Sequence, residues 1–327
     1  MRISVAIINW NTREMLRECL TSLTLNTGSG ASIELVVVDN GSADGSADMV
    51  AASFPTVSLI RNDENLGFSK AVNQAFSIST GDYFLLFNSD AYVEDDTLTD
   101  CGVFLDEHPQ FSILGCRVTY PDGSHQSSCF RFSSLRGIVL NSLYLSQVFR
   151  TSYFLNWDRY GHADWTKPRE VDCVMGGFLM VRRSVIEAGD LLDSGYFMYG
   201  EEKDLCYRLF MRGLKTVYYP SAKVVHLHSG SSRRRPEVSA WVYEMKRRAI
   251  LRFLWKWRGP TVAWLANMIM TIDLFPRGLI WGVGDIAAVI LRKGSGPDRI
   301  LRLRVLRFHL AAIFAPSMFA REWGPDH

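Results

Sequence analysis

The chain lacks the signatures that would settle its class at once. None of its six cysteines, Cys19, Cys101, Cys116, Cys129, Cys173 and Cys206, forms a C-x-x-C pair. Several stand in apolar segments, which argues against a zinc site or a disulfide framework and for reduced, mostly buried thiols in a cytosolic protein. There are no internal repeats and no low-complexity tracts. The opening MRISVAIINW has too short an apolar run for a signal peptide and lacks a cleavage pattern, so it is expected to be a first strand. With 47% hydrophobic and 21% charged residues the chain is globular. Its 327 residues allow one large domain with an extension, or two domains. The net charge of +2 hides an asymmetry: residues 233–327 hold 17 Lys and Arg against 7 Asp and Glu, so +10, and the remainder carries −8. A basic C-terminal third points to an anionic partner, nucleic acid or a membrane surface.

Strand and helix signals alternate through the first half. Residues 3–8, 33–38, 57–60 and 83–87 read as strands. Asn11 with Glu14 reads as a capping pair ahead of a helix whose apolar stripe is Met15, Leu16, Cys19, Leu20 and Leu23. Helices are expected over 46–53 and 70–77, with a turn at 65–68. This β-α-β-α-β order predicts a mostly parallel sheet with helices on both faces and right-handed crossovers. A helix over 96–107, a strand over 112–119 and a turn at Pro121-Asp122-Gly123 follow. Further on come a strand over 174–181 carrying Gly176-Gly177, a helix from near Glu202 that ends at Gly213, and short strands over 215–219 and 223–226. The aromatic stretch 124–167 takes no assignment; a loop that long inside a domain is often functional.

From Arg233 the texture changes. Trp241, Tyr243, Phe253, Trp255 and Trp257 lie among Lys246, Arg247, Arg248, Arg252, Lys256 and Arg258. Apolar runs over 261–275 and 278–291 follow, split by Pro276-Arg277 and interrupted by Asp273 and Asp285. Each is shorter than the ~20 residues of a spanning helix. Basic, aromatic-flanked helices suit an anionic membrane surface. The alternatives are a helical bundle packed on the body with its basic residues solvated, and a re-entrant hairpin. The aromatics sit among aliphatic runs, which suits lipid better than bases, so no nucleic-acid partner is expected.

Polar residues cluster where strands end, the usual ligand position of open α/β sheets. The apolar run 84–87 stops at Asn88-Ser89-Asp90, where a carboxylate can hold Mg2+ or Mn2+ in a site open to phosphate, or start a turn. Asp39 can accept the N3–H of uracil or thymine, a donor that cytosine lacks, or close an Asx turn. Gly67 permits close approach of backbone to a phosphate, and Lys70 adds charge. His226 can be a further metal ligand, with His228 as the neighbouring option, or a structural histidine. In Tyr199-Gly200-Glu201-Glu202-Lys203-Asp204 the acids either offset a helix dipole or supply a general base.

The segments SVAIINWN, ELVVVDNGSADGS, NLGFSKAVNQA, GDYFLLFNSDA, GGFLMVRRSVIEAG, FMYGEEKDLCYRLFMRG and VVHLHSGSS occur in this order over about residues 3–232. Together they make the chain resemble the family 2 inverting glycosyltransferases of the GT-A fold, and among them the rhamnosyltransferase-like bacterial branch. The resemblance implies a GT-A catalytic domain over 1–232 and a helical, membrane-associating extension over 233–327. It implies that Asp39 contacts the nucleotide base, with Asn9 and the 67–70 turn nearby. Asn88, Ser89 and Asp90 stand where the family has its D-x-D-like metal motif. The first position is Asn here, so Asp90 carries most of the ligation, and His226 aligns with a histidine that completes the site.

The family usually shows Glu-Asp where this chain has Glu201-Glu202. Glu202 is therefore the implied base, one methylene longer, with Glu201 and Asp204 also candidates. The implied reaction is a metal-dependent single displacement without a covalent intermediate, with the 124–167 segment closing over the donor. The implied donor is a dTDP-linked rhamnose or a UDP-linked hexose, and the acceptor a lipid-linked glycan of the cell envelope. The protein is then cytoplasmic and peripheral on the inner face of the membrane. Two other classes compete. A nucleotidyltransferase of related fold would carry a Gly-rich, Lys/Arg-bearing loop after the first strand, where this chain has Asn9-Trp10-Asn11. A non-catalytic nucleotide-sugar-binding protein would need Asp39 but neither Asp90 nor Glu202.

Overall fold

The computed structural model describes residues 1–25, 30–94, 96–161, 163–187, 189–227, 236–274 and 298–321, with backbone alone at 236–240 and 298–305. His228 and residues 275–297 of the tail lie outside these. The strands are β1 (Arg2–Asn9), β2 (Ser32–Asn40), β3 (Ser58–Asn62), β4 (Tyr83–Asn88), β5 (Ala91–Val93), β6 (Phe111–Thr119), β7 (His125–Gln126), β8 (Cys129–Phe130), β9 (Arg169–Val171), β10 (Cys173–Val174), β11 (Phe178–Arg182) and β12 (Lys215–His226). The helices are α1 (Arg13–Leu25), α2 (Ser46–Ser53), α3 (Phe68–Ile78), α4 (Thr97–Glu107), α5 (Leu135–Ser142), α6 (Leu145–Val148), α7 (Glu201–Phe210), α8 (Pro236–Arg258), α9 at 260–274 and α10 (Asp298–Phe314).

The main sheet runs β3-β2-β1-β4-β11-β6-β12-β5. β3, β2, β1 and β4 pair in parallel, as the alternating pattern predicts. Val36, Val37 and Val38 are all buried, and so are Phe84 to Phe87, because both faces of the sheet are covered. β11 lies antiparallel to β4 and to β6, and β6 is parallel to β12. β12 therefore runs the same way as β4, and β1, β2, β4 and β12 all end at one edge.

Three local expectations change. Asn11 does not cap α1. It takes a left-handed φ of 55°, and its Oδ1 accepts the Ala43 N–H at 2.8 Å. The Arg13 N–H at the start of α1 donates instead to Asp44 Oδ2, 2.9 Å away. The two strands expected over 215–219 and 223–226 are one strand, β12, whose register breaks between Tyr219 and Lys223. Pro220 has no N–H for the ladder, so the strand bulges there and resumes. The strand expected over 174–181 is cut by a turn at 175–177, leaving β10 in a small antiparallel pair with β8 and β11 in the main sheet.

The chain divides into two compact units. The first holds residues 1–132 and 163–227 among those described, and contains the sheet. The second holds residues 133–161 with the helices from Pro236 on. The sequence boundary at 232 lies near one division, but the second unit also takes in α5 and α6 from the stretch that resisted assignment.

The helical unit has a polar interior. Arg247 Nη2 meets Asp273 Oδ2 at 2.9 Å, and its Nη1 donates to the Met270 carbonyl at 3.0 Å. Arg248 pairs with Glu244 one turn away. Asn267 Nδ2 donates to the His309 carbonyl at 3.1 Å, tying α9 to α10. Burial, then the charges of Arg247 and Arg248, push the His309 pKa down to about 3. Two of the tail's arginines are thus interior groups, beyond reach of an external anion. Among the described residues no helix is long and apolar enough to cross a membrane. Truncating Asp273 leaves Arg247 buried without its carboxylate. Asp273→Ala should destabilise the helical unit by about 3–5 kcal/mol, seen as an earlier transition in urea by circular dichroism. The paired change Arg247→Met with Asp273→Leu should recover most of that loss.

Candidate active site

The shared edge of β1, β2, β4 and β12 gathers the candidate residues. Asn9 ends β1 and is register partner to Asp39 on β2. Both are buried. Asn9 Nδ2 donates to Asp39 Oδ2 at 3.0 Å and also meets Ser42 Oγ at 3.1 Å. Asp39 Oδ1 accepts the Ser42 N–H at 3.0 Å, three residues on, where an Asx turn over 39–41 would use the Gly41 N–H. Each carboxylate oxygen keeps a second lone pair for another donor. Thr12 Oγ1 donates to Asn9 Oδ1 at 2.5 Å and lies 2.9 Å from Ser89 Oγ. A hydrogen-bonded chain thus joins Asp39 to the residue beside Asp90.

Gly67 has a packing role in the fold. Its φ is 88°, and a Cβ there would stand 2.7 Å from the Phe197 ring and 2.9 Å from the Phe197 carbonyl oxygen. The glycine lets the 65–68 turn pack on the 197 segment, and the Phe68 N–H donates to that carbonyl at 2.7 Å. Asn40 holds the turn from the other side, its Oδ1 accepting the Leu66 N–H at 3.1 Å. Lys70 lies in the first turn of α3 with its side chain exposed.

β4 and β12 bring the metal candidates together. His226 Nε2 is 3.0 Å from Asp90 Oδ1 and 3.1 Å from Asn88 Nδ2. Its Nδ1 faces Gln126 Oε1 at 3.0 Å. A ring that donates Nδ1–H to Gln126 turns its Nε2 lone pair toward Asp90, as in a histidine whose other ring nitrogen is held by a hydrogen bond. A 3.0 Å separation is that of a direct His–Asp contact, and two adjacent ligands of an octahedral cation at about 2.1 Å lie equally far apart, so the pair is compatible with either arrangement. Among the described residues no third His, Cys, Asp or Glu joins them. Such ions commonly complete their shell with water and substrate phosphate oxygens.

The acids of α7 divide by burial. Tyr199 and Gly200 both take left-handed φ, 69° and 84°, and aim the chain so that α7 opens on Glu201. A tyrosine at positive φ is uncommon and marks local strain. Glu201 is 5% exposed and its Oε2 has no hydrogen-bond partner. Burial, then the charge of Glu202, raises its pKa well above the usual carboxylate range. Asp204 is fully buried, with the Tyr196 hydroxyl 3.4 Å from its Oδ1. Glu202 is partly exposed, and its Oε2 accepts the Gly200 N–H at 3.1 Å. Gly176 and Gly177 connect the two halves of the site. A Cβ on Gly176 would lie 3.9 Å from Glu202 Cβ, and one on Gly177 3.1 Å from Asn88 Nδ2.

Gln126, Thr12 and Ser42 escaped the sequence reading. Ser42 was accessible in principle, since an acceptor at 39 and a hydroxyl at 42 are the spacing of a closed turn. Gln126 carries no local signal: it stands on a two-residue strand in an unassigned stretch.

Residues 4–189, more than half of the chain, match the sequence profile of Glycosyl transferase family 2. The chain is 29% identical over 249 residues, 72% of this chain and 78% of the other, to N-acetylglucosaminyl-diphospho-decaprenol L-rhamnosyltransferase of Mycobacterium tuberculosis. Among solved structures, the mannosyltransferase PcManGT from Pyrobaculum calidifontis, in complex with GDP-Man and Mn2+, aligns with a TM-score of 0.52 at 16% identity, covering 97% of this chain and 87% of that one. S. aureus TarS 1-349 in complex with UDP-GlcNAc aligns with a TM-score of 0.50 at 17% identity, covering 96% and 82%. The fold is GT-A, and the chain belongs to glycosyl transferase family 2.

Proposed function

We propose that the protein moves a sugar from a nucleoside-diphosphate donor to a hydroxyl of a lipid-linked glycan, with inversion, during synthesis of a cell-envelope polysaccharide. One observation carries the reading: Asp39 and the Asp90–His226 pair meet at one sheet edge through a chain of hydrogen bonds, and Gly176-Gly177 brings the start of the Glu202 side chain close to the same strand end. The printed activity of the M. tuberculosis relative favours rhamnose as the sugar and a polyprenyl diphosphate-linked acceptor. A dTDP-linked donor is preferred, with a UDP-linked hexose as the alternative.

Each residue has a part in the displacement. Asp39 accepts the N3–H of thymine or uracil, oriented by Asn9 and the Ser42 amide. Asp90 and His226 would hold a Mg2+ or Mn2+ ion, which supplies charge neutralisation for the leaving diphosphate when bound. Asn88 and Gln126 orient His226. Glu202 takes the proton of the acceptor hydroxyl as that oxygen attacks the anomeric carbon from the face opposite the phosphate. Glu201 is poorly suited to that task, because its burial favours the protonated form. Asp204 is turned inward. The protein works at the inner face of the cell membrane as a peripheral protein, through exposed basic residues such as Lys246, Lys256 and Arg258.

A donor-hydrolysis screen over dTDP-, UDP- and GDP-linked sugars, with Mn2+ or Mg2+, tests the reading directly. One donor class should be turned over well above the rest. Asp90→Ala should abolish turnover with the fold intact by circular dichroism, and EDTA should silence the unaltered protein; full activity in EDTA removes the metal from the mechanism.

Glu202→Gln keeps the shape of the side chain but cannot accept a proton. The kcat of transfer should fall by roughly 10²-fold or more, with donor binding little changed. If Glu201→Gln or Asp204→Asn, folded, is the crippled variant instead, the base has been misassigned.

A further inference from the structure

Residues 133–161 present a surface unlike that of a soluble connector. Arg136 and Val139 lie at helical spacing on α5, and Leu143 follows at its C-terminal end. Val139 is 37% exposed, Leu143 62%, Val148 70%, Phe149 47% and Phe154 66%. Large apolar side chains left outside recur along this short stretch, the raw material of an interaction surface. The guanidinium of Arg136 lies 4.3 Å from the Trp157 ring centroid and 6.0 Å from that of Phe154, so cation and aromatic surface are presented together. Arg150 and Arg159 are exposed as well.

Charge selects the occupant. The segment holds one acid, Asp158, against three arginines. That acid is engaged from within: Asn141 Nδ2 donates to its Oδ2 at 2.7 Å, and Ser146 Oγ lies 3.4 Å from its Oδ1. The outward face is therefore apolar, aromatic and cationic, with its carboxylate occupied. A second copy of the same face would set like charges against each other. An anionic lipid surface complements all three properties: arginines at the phosphates, aromatic rings at the headgroup level, and aliphatic side chains at the acyl boundary. We infer that residues 133–161 are a membrane-docking element that seats in an anionic lipid interface. The segment belongs to the same compact unit as the C-terminal helices. The inference deepens the proposed function, resting on its lipid-linked acceptor for the purpose of docking.

The test uses the full chain with vesicles of phosphatidylcholine, with and without phosphatidylglycerol, in flotation at low salt. The unaltered protein should float with the anionic vesicles. The triple variant Leu143→Glu, Val148→Glu, Phe154→Glu changes exposed positions only, so it should fold as before by circular dichroism. Its partition should fall by at least about tenfold, the loss expected when three apolar anchors become charged. Donor hydrolysis without vesicles should be unchanged in this variant. Vesicle binding of the triple variant equal to the unaltered protein overturns the inference, and so does equal capture by pure phosphatidylcholine. It is also overturned if the unaltered protein ignores vesicles and runs as a dimer that the triple variant dissociates. If flotation follows the expected pattern but no nucleotide sugar is hydrolysed, the docking element stands and the proposed activity falls.

Discussion

Four strands that run the same way, β1, β2, β4 and β12, end at one edge of the sheet, and the candidate site hangs from those ends. The faces of the sheet cannot host polar chemistry, because consecutive valines, leucines and phenylalanines fill both. Where each strand leaves the sheet, backbone groups and polar side chains no longer compete with packing. Asn9, Asp39, Asn88 and His226 all stand at that transition. The 3.0 Å contact between His226 and Asp90 depends on β12 returning parallel to β4 after the antiparallel β11. A β12 of the opposite direction would carry the imidazole to the far edge.

The polar groups at that edge are held before any ligand arrives. Asn9 and the Ser42 amide orient Asp39, Gln126 and Asn88 orient His226, and the Gly200 amide receives Glu202. Preorganisation of this kind lowers the reorganisation needed when charge develops on a reacting group. It has a local cost. Two successive left-handed residues set the start of α7, and Glu201 keeps a buried carboxyl oxygen without a partner. A buried polar atom without a hydrogen bond is destabilising, so the surrounding packing must offset it. The strongly apolar β4 and β11 beside the site supply such packing.

The second unit shows how misleading net charge can be. Its C-terminal helices look like a uniformly basic surface in one dimension. In three, Arg247 and Arg248 are interior residues tied to Asp273 and Glu244. The exposed cationic groups stand at other positions, Lys246, Lys256 and Arg258 on α8 and Arg136, Arg150 and Arg159 of 133–161. The described helices of the tail pack on one another and leave other basic groups exposed.

The sequence by itself determined the parallel β-α-β frame, because short apolar runs ending in turn residues alternate with amphipathic helical stretches, an order that favours a parallel sheet. It also determined the ordered motifs that mark family 2, and which polar residues stand at strand ends. Local signals misled where a partner came from elsewhere in the chain. Asn11 had the spacing of a cap, yet Asp44 from the next loop serves the α1 terminus. Gly67 reads locally as a turn glycine, and its contact with Phe197, 130 residues on, is not announced there. The 215–226 stretch reads as two strands, because Pro220 interrupts the pattern but not the chain direction. Only tertiary structure decided that Gln126 orients His226, that Asp204 and Glu201 turn inward while Glu202 stays accessible, and that 133–161 belongs with the C-terminal helices. Each of these is a contact between segments far apart in the chain, and periodicity in a sequence reports only which face a residue takes, not what it meets there.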